Sequence, residues 1–181
     1  MYFSEEYRRE CEQLHRLDPT WGNGPRKRIR RIFKWFNDEK ITGPVLDYGC
    51  GKAKLSRIVD VTITNYDPMV PEYSDLPNPH DFVICCDVLE HIEPAFLDQV
   101  LQHLFELTQV QCFLYVSGVP ARETLPDGRN AHLIQEDWIW WAMKLNHYFE
   151  IESLENNIID GKIVGTTFIL GKINEHTRSN Q

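Results

Sequence analysis

VLDYGCGKAKLS, Val45 to Ser56, decides the reading of this 181-residue chain. An apolar run ends in an acid, Asp47, followed by Gly49, Gly51 and a helix-forming segment. This pattern predicts a buried strand that turns sharply into a helix, with small residues where a ligand approaches the backbone. A nucleoside-type ligand is expected there. A dinucleotide turn requires a third glycine three residues after the second, and that position holds Lys54. An acid at the strand end suits a ligand that carries positive charge, such as an amine or a sulfonium.

Outward from this turn, apolar β-rich runs alternate with helical patterns. The expected strands are GPVLDY, VTITNYD, DFVICCD, VQCFLYVSG, YFEIESLE and IVGTTFIL. The helices expected between them are KAKLSRIV, AFLDQVLQHLFELT and EDWIWWAMKLN, with two more near 4–16 and 25–39 ahead of the first strand. Alternation of this kind predicts an α/β fold, a mostly parallel sheet with helices on both faces. Only Asp160-Gly161 separates the last two strands, so they should form an antiparallel hairpin. The stretch between Asp67 and Asp81 carries four prolines, which suits a loop or a short edge strand rather than a full helix–strand unit. The chain is expected to be one domain: an N-terminal helical cap over 1–40, an α/β core over 41–172 and a polar tail over 173–181.

The formal net charge is −8, so the surface as a whole does not favour nucleic acid. The exception is RKRIRRIFKW, residues 26–35, whose apolar stripe is expected at Ile29, Ile32, Phe33 and Phe36. Most simply it is a solvated helix face; phosphate contact is the sharper alternative. The five cysteines are odd in number and form no CxxC, which suits reduced, buried thiols. There is no signal-type apolar segment and no run long enough to cross a membrane, so a cytoplasmic protein without a membrane partner is expected.

Three expected strands end in acids: Asp47, Asp67 and Asp87. The strands of a parallel sheet bring their carboxyl ends to one rim, where ligands bind. Acids are depleted from strands and costly to bury, so three of them at one rim argue for a site.

The set VLDYGCGKAKLS, NYDP and DFVICCDVLEHIEP, in this order, resembles the class I S-adenosylmethionine-dependent methyltransferases, over roughly residues 20–170. Within that superfamily, WGNG before the first core helix and LPDGRNAHLI late in the chain are most similar to small phage-type and bacterial members. The resemblance implies a Rossmann-like fold and S-adenosylmethionine as cofactor; a reduced third strand is expected here as a departure from the family. It implies that Asp47, Gly49 and Gly51, with Tyr48 and Cys50 between them, hold the methionine moiety. Asp67 would accept from the ribose hydroxyls, Pro68 and Met69 would pack on the adenine, and Asp87 and Val88 would border the sulfonium. Lys52 and Ala53 depart from the glycine-richer continuation common in the family.

The remaining candidates follow from residue chemistry. Trp21 and Gly22 are expected to close over the cofactor as a lid. His91 and His132 are the candidate catalytic bases or orienters, because a free imidazole titrates near neutrality. Glu90, Arg129 and Asn130 are candidate substrate contacts, Arg129 for a carboxylate or phosphate. The simpler alternatives are that Glu90 and His91 cap a helix start, and that DGRNAH is a surface loop with local Asx-turn bonding. Asp87, Glu90, His91 and His132 could also offer two carboxylates and two imidazoles to a divalent ion; no residue is assigned to a metal on that ground. Of Trp138, Trp140 and Trp141, helical spacing places only one or two in the core.

The expected activity is methyl transfer from S-adenosylmethionine to an oxygen or nitrogen of a small molecule, saccharide or nucleotide. The alternatives are methylation of an RNA end or other nucleic acid, possibly metal-assisted, and a methyltransferase-fold module that binds without catalysis.

Overall fold

The computed structural model describes residues 2–17 and 28–173. Its elements in chain order are α1 (Glu5–Leu17), α2 (Ile29–Asp38), β1 (Val45–Tyr48), β2 (Ile63–Tyr66), β3 (His80–Cys86), α3 (Leu97–Leu107), β4 (Thr108–Ser117), α4 (Trp138–Leu145), β5 (Phe149–Ile159) and β6 (Lys162–Lys172). The strands form one sheet in the order β2-β1-β3-β4-β6-β5. β1 pairs in parallel with β2 and β3, and β3 with β4. β6 runs antiparallel to β4 and to β5.

The central strands are apolar on both faces, as a covered parallel sheet requires. Alternate residues of β4 divide between two cores. Cys112, Leu114 and Val116 face α3 and α4, together with Trp141 and Leu145. Phe113 and Tyr115 face α2, together with Ile32, Trp35 and Phe36. Helices therefore cover both faces. α3 buries Leu97, Val100, Leu101, Leu104 and Leu107, an i, i+3, i+4 stripe. α4 starts at Asp137, whose carboxylate accepts the Trp140 N–H at 2.9 Å. Trp141 is fully buried, and Trp140 packs edge-on against it. The turn Asp160-Gly161 has φ of 50° and 74°, the two positive values a two-residue hairpin loop needs.

The proline-rich stretch after Asp67 is the expected loop, with one 3₁₀ turn, Pro71–Tyr73, and no strand among the described residues. Two local expectations change. KAKLSRIV forms only a 3₁₀ turn, Leu55–Arg57. Ala53 sits at φ 50°, which helical backbone cannot continue, and β2 begins soon after. The second correction concerns α2, where Phe33 is 41% exposed and Trp35 takes its place in the core. From Ile32 the buried face continues at i+3 and i+4, which are Trp35 and Phe36. The Trp35 indole N–H also donates to Gln111 Oε1 of β4.

All five cysteines are buried and free. No helix among the described residues is long and apolar enough to cross a membrane.

Trp35→Ala is expected to cost about 3–5 kcal/mol in urea unfolding, whereas Phe33→Ala should stay within about 0.5 kcal/mol of the parent. Equal costs for the two would show that α2 is rotated on the sheet.

Candidate active site

The turn after β1 is built from backbone. Gly49 has φ 76°, and a Cβ there would lie 2.4 Å from Val88 Cγ2. The N–H groups of Gly49 and Cys50 both donate to Tyr66 O at the end of β2, at 2.7 and 3.0 Å. Asp67 completes the join: Oδ2 accepts from Gly51 N and Oδ1 from Met69 N, both at 2.9 Å. Each carboxylate oxygen can accept more than one donor, so these backbone bonds are compatible with further acceptance by Asp67.

Asp47 lies beneath this turn, 1% exposed, and neither of its carboxylate oxygens has a hydrogen-bond partner among the described residues. Burial, and then the charge of Asp67, push its carboxyl up to about 7. An orphaned buried carboxylate is expensive unless a cationic ligand meets it.

At the end of β3, Asp87 adopts φ 55°, a value uncommon for a residue with a side chain. The Arg28 guanidinium reaches Asp87 Oδ1 at 3.5 Å and lies over the Tyr115 ring, 3.4 Å from its centroid. A 3₁₀ turn, Leu89–His91, follows. Glu90 is 0% exposed and sits behind the cavity wall rather than on it. Its Oε1 accepts from Ser117 N at 2.9 Å, and burial followed by the charge of Asp87 pushes its carboxyl up to about 8. His91 Nδ1 lies 2.8 Å from Ala131 O, and its pKa is pushed down to about 3 by burial and then by His132. The two imidazoles meet edge to face, with centroids 4.7 Å apart.

The loop carrying His132 is clamped to this turn. Ile134 N donates to Glu90 O at 3.0 Å, and His132 Nδ1 lies 2.6 Å from Val119 O. The two loop residues expected to meet substrate are used in building the loop instead. Asn130 exchanges two bonds with the backbone of Ala121 and accepts from His132 N. Arg129 pairs with Asp127 and, at 3.0 Å, with Glu10 of α1. Asp127 Oδ1 also accepts from Arg129 N, an Asx-turn bond. Neither Arg129 nor Asn130 lines the cavity.

That cavity measures about 810 Å³, within the roughly 300–1,000 Å³ of small-molecule sites. Tyr48, Gly49, Gly51, Asp67, Pro68, Met69, Asp87, Val88, His91 and His132 all line it. Asp47 and Cys50 lie behind the glycine turn, both buried. Trp21 and Gly22 fall outside the described residues. Several lining groups were not among the expected site residues: Tyr2, Phe3 and Tyr7 at the start of the chain, and Ile159 and Val164 beside the hairpin tip, while Arg28 of the basic stretch also lines the cavity. α1 reaches the cavity because Tyr7 donates to His91 O at 2.6 Å, while Ser4 N and Oγ donate to Glu93 at 2.7 and 2.8 Å. The one available signal was the grouping of Tyr2, Phe3 and Tyr7 at the start of an otherwise charged stretch.

A family model described as a methyltransferase domain matches residues 8–157. This chain belongs to that methyltransferase family. It is an S-adenosylmethionine-dependent methyltransferase. No curated protein matches the sequence. Among solved structures, the N-methyltransferase NodS from Bradyrhizobium japonicum WM9, in complex with S-adenosylhomocysteine, superposes with a TM-score of 0.63 at 12% identity, over 94% of this chain and 100% of that one. The 1,6-didemethyltoxoflavin-N1-methyltransferase of Burkholderia thailandensis gives 0.57 at 13%, over 77% and 75%. The PH0226 protein of Pyrococcus horikoshii OT3 gives 0.57 at 16%, over 89% and 99%. At these identities the likeness is one of fold.

The site suits this cofactor on its own terms. Asp47 holds an orphaned buried carboxylate beside the turn, and Gly49 and Gly51 bring bare backbone to the cavity.

The raised pKa of Asp47 makes the ligand-free fold sensitive to pH. The folded state holds the proton more tightly than the unfolded chain, so stability is full below about pH 4 and declines as pH rises through about 7. Asp47→Asn should remove the Asp47 share of that decline and leave the share of Glu90, whose carboxyl is pushed up to about 8, raising Tm at pH 8 by about 2–4 °C for each kcal/mol recovered, while weakening S-adenosylmethionine binding. Melting curves at pH 5 and pH 8 check the first part and calorimetry the second; a variant less stable than the parent at pH 8 would contradict it.

Proposed function

We propose that the protein methylates an oxygen or nitrogen of a small acceptor, a small molecule, saccharide or nucleotide. The observation that carries this reading is the pair His91 and His132, set side by side on the cavity that the glycine turn, Asp67 and Val88 also line. Asp47 with the Gly49–Gly51 turn is assigned to the methionine end of the cofactor, Asp67 to the ribose, and Pro68 with Met69 to the adenine. When bound, S-adenosylmethionine supplies a methyl group already activated on sulfur.

The chain then has to place the acceptor, keep water out and manage one proton. A carbonyl oxygen can only accept, so Nδ1 of each histidine carries the proton and Nε2 the lone pair. His91 stays neutral across the physiological range. A lone pair so placed can take a proton from the acceptor or hold it in position. The chain start and α1 together serve as the cap, since Tyr2, Phe3, Tyr7 and Cys11 line the cavity. The apolar residues Ile159 and Val164 favour an acceptor with a hydrophobic face. The toxoflavin enzyme, crystallised with 1,6-didemethyltoxoflavin, is a structural neighbour with a small acceptor, and this supports the reading. Arg28 and Arg31 of the basic stretch are engaged within the molecule, Arg31 with Glu155 and Thr167, which leaves less of that stretch for phosphate.

Titration calorimetry with S-adenosylmethionine, S-adenosylhomocysteine and NAD tests the cofactor assignment, and transfer of labelled methyl into fractionated cell extract tests the acceptor class. Binding of the first two and not of NAD is expected. His132→Ala should keep cofactor affinity within about twofold and lower turnover by about 10²–10⁴-fold. Unchanged turnover would take His132 out of the reaction.

A further inference from the structure

We propose that Glu90, His91 and His132 bind a divalent transition-metal cation at the cavity wall, and that the methyl acceptor presents an oxygen to this cation. The proposal rests on the methyltransferase reading above, narrows its acceptor to an oxygen compound, and gives the two Nε2 lone pairs to the cation, so that the acceptor's proton passes to water and not to a histidine.

One ligand atom from each of the three residues lies within 4.8 Å of the other two. The imidazoles carry the arrangement that metal-binding histidines commonly have. Each sets its Nδ1 against a backbone carbonyl, Ala131 O at 2.8 Å and Val119 O at 2.6 Å. Such an anchor fixes the tautomer, leaves the lone pair on Nε2 and locks the ring.

Glu90 supplies an independent observation. Its Oε1 is held by Ser117 N, but Oε2 is buried and has no hydrogen-bond partner among the described residues. A buried oxygen left this way carries a desolvation cost that nothing among the described residues offsets. A cation shared with the two imidazoles would offset it. The three residues are also held as one unit, since the 3₁₀ turn and the loop bearing His132 are bonded through Ile134 N and Glu90 O.

Two imidazoles and one carboxylate suit Mn²⁺, Fe²⁺, Co²⁺ or Zn²⁺ better than Mg²⁺ or Ca²⁺. Three protein ligands leave positions for oxygen donors, and His91 and His132 both line the cavity from which these would come. An acceptor hydroxyl bound there would be positioned for reaction and would release its proton to water more readily.

The test uses the full chain, stripped with EDTA and titrated with CoCl₂, ZnCl₂ and MgCl₂ by calorimetry, with the visible absorption of Co²⁺ as a second readout. One equivalent of Co²⁺ or Zn²⁺ per chain is expected, with Mg²⁺ at least tenfold weaker. His132→Ala and Glu90→Gln should each weaken Co²⁺ binding at least tenfold, and His147→Ala, in the exposed turn after α4, should not. Circular dichroism checks that each variant is folded; should Glu90→Gln fail to fold, His132→Ala, whose ring lies on the cavity wall, decides alone. Failure to bind one equivalent, binding unaffected by His132→Ala, or Mg²⁺ bound as tightly as Co²⁺ would overturn the proposal. S-adenosylmethionine binding measured in EDTA separates the two readings: if it persists without metal binding, only the metal site falls, and if it is absent, the cofactor assignment falls.

Discussion

Gly49 and Val88 approach so closely that no side chain fits between them: a Cβ on Gly49 would lie 2.4 Å from Val88 Cγ2. This contact fixes how the ends of β1 and β3 meet, and the site is arranged around it. Because the turn passes so near Val88, its N–H groups can reach the end of β2, where Tyr66 O and Asp67 receive them. Because Val88 is held there, Asp87 is driven to positive φ and the Leu89–His91 turn begins at once. Strain of this kind persists only where the surroundings over-determine it. Here they do, through the Arg28–Asp87 pair and the bond from Asp87 N to Tyr115 O.

The same rim holds two carboxyls whose pKa values burial raises, Asp47 to about 7 and Glu90 to about 8. Neither has its polar atoms fully satisfied among the described residues. A fold selected for stability alone would replace such groups with apolar ones. Their cost becomes intelligible if each meets a positive partner from outside, the cofactor's charged end for Asp47 and a cation for Glu90. The polar groups the sequence made most conspicuous behave in the opposite way. Arg129, Asn130 and Asp127 satisfy one another, the local backbone and Glu10. Their work is to shape the loop that presents His132.

Some of this was legible in the residues, for identifiable reasons. The central strands could be read because burial on both faces demands unbroken apolar runs, and the final hairpin because Asp160-Gly161 supplies its two positive φ values. KAKLSRIV misled because its composition favours helix while Ala53 takes a left-handed conformation that no propensity records. Phe33 misled because the orientation of a helix depends on what it packs against, and Gln111 of β4 offers a partner to the indole of Trp35. Trp21 and Gly22, expected as a lid, lie outside the described residues.

The sequence by itself determined the sheet, its hairpin and the three acids at the strand ends, because period, turn chemistry and the cost of burying charge are local properties of the chain. Only the tertiary structure decided which groups share the cavity. It brought Tyr7 of α1 to His91, Arg28 to Asp87 across 59 positions, and His132 beside His91 across 41. Such meetings follow from how elements pack and where loops are tied. Those constraints act between residues far apart in the chain, and no local pattern encodes them.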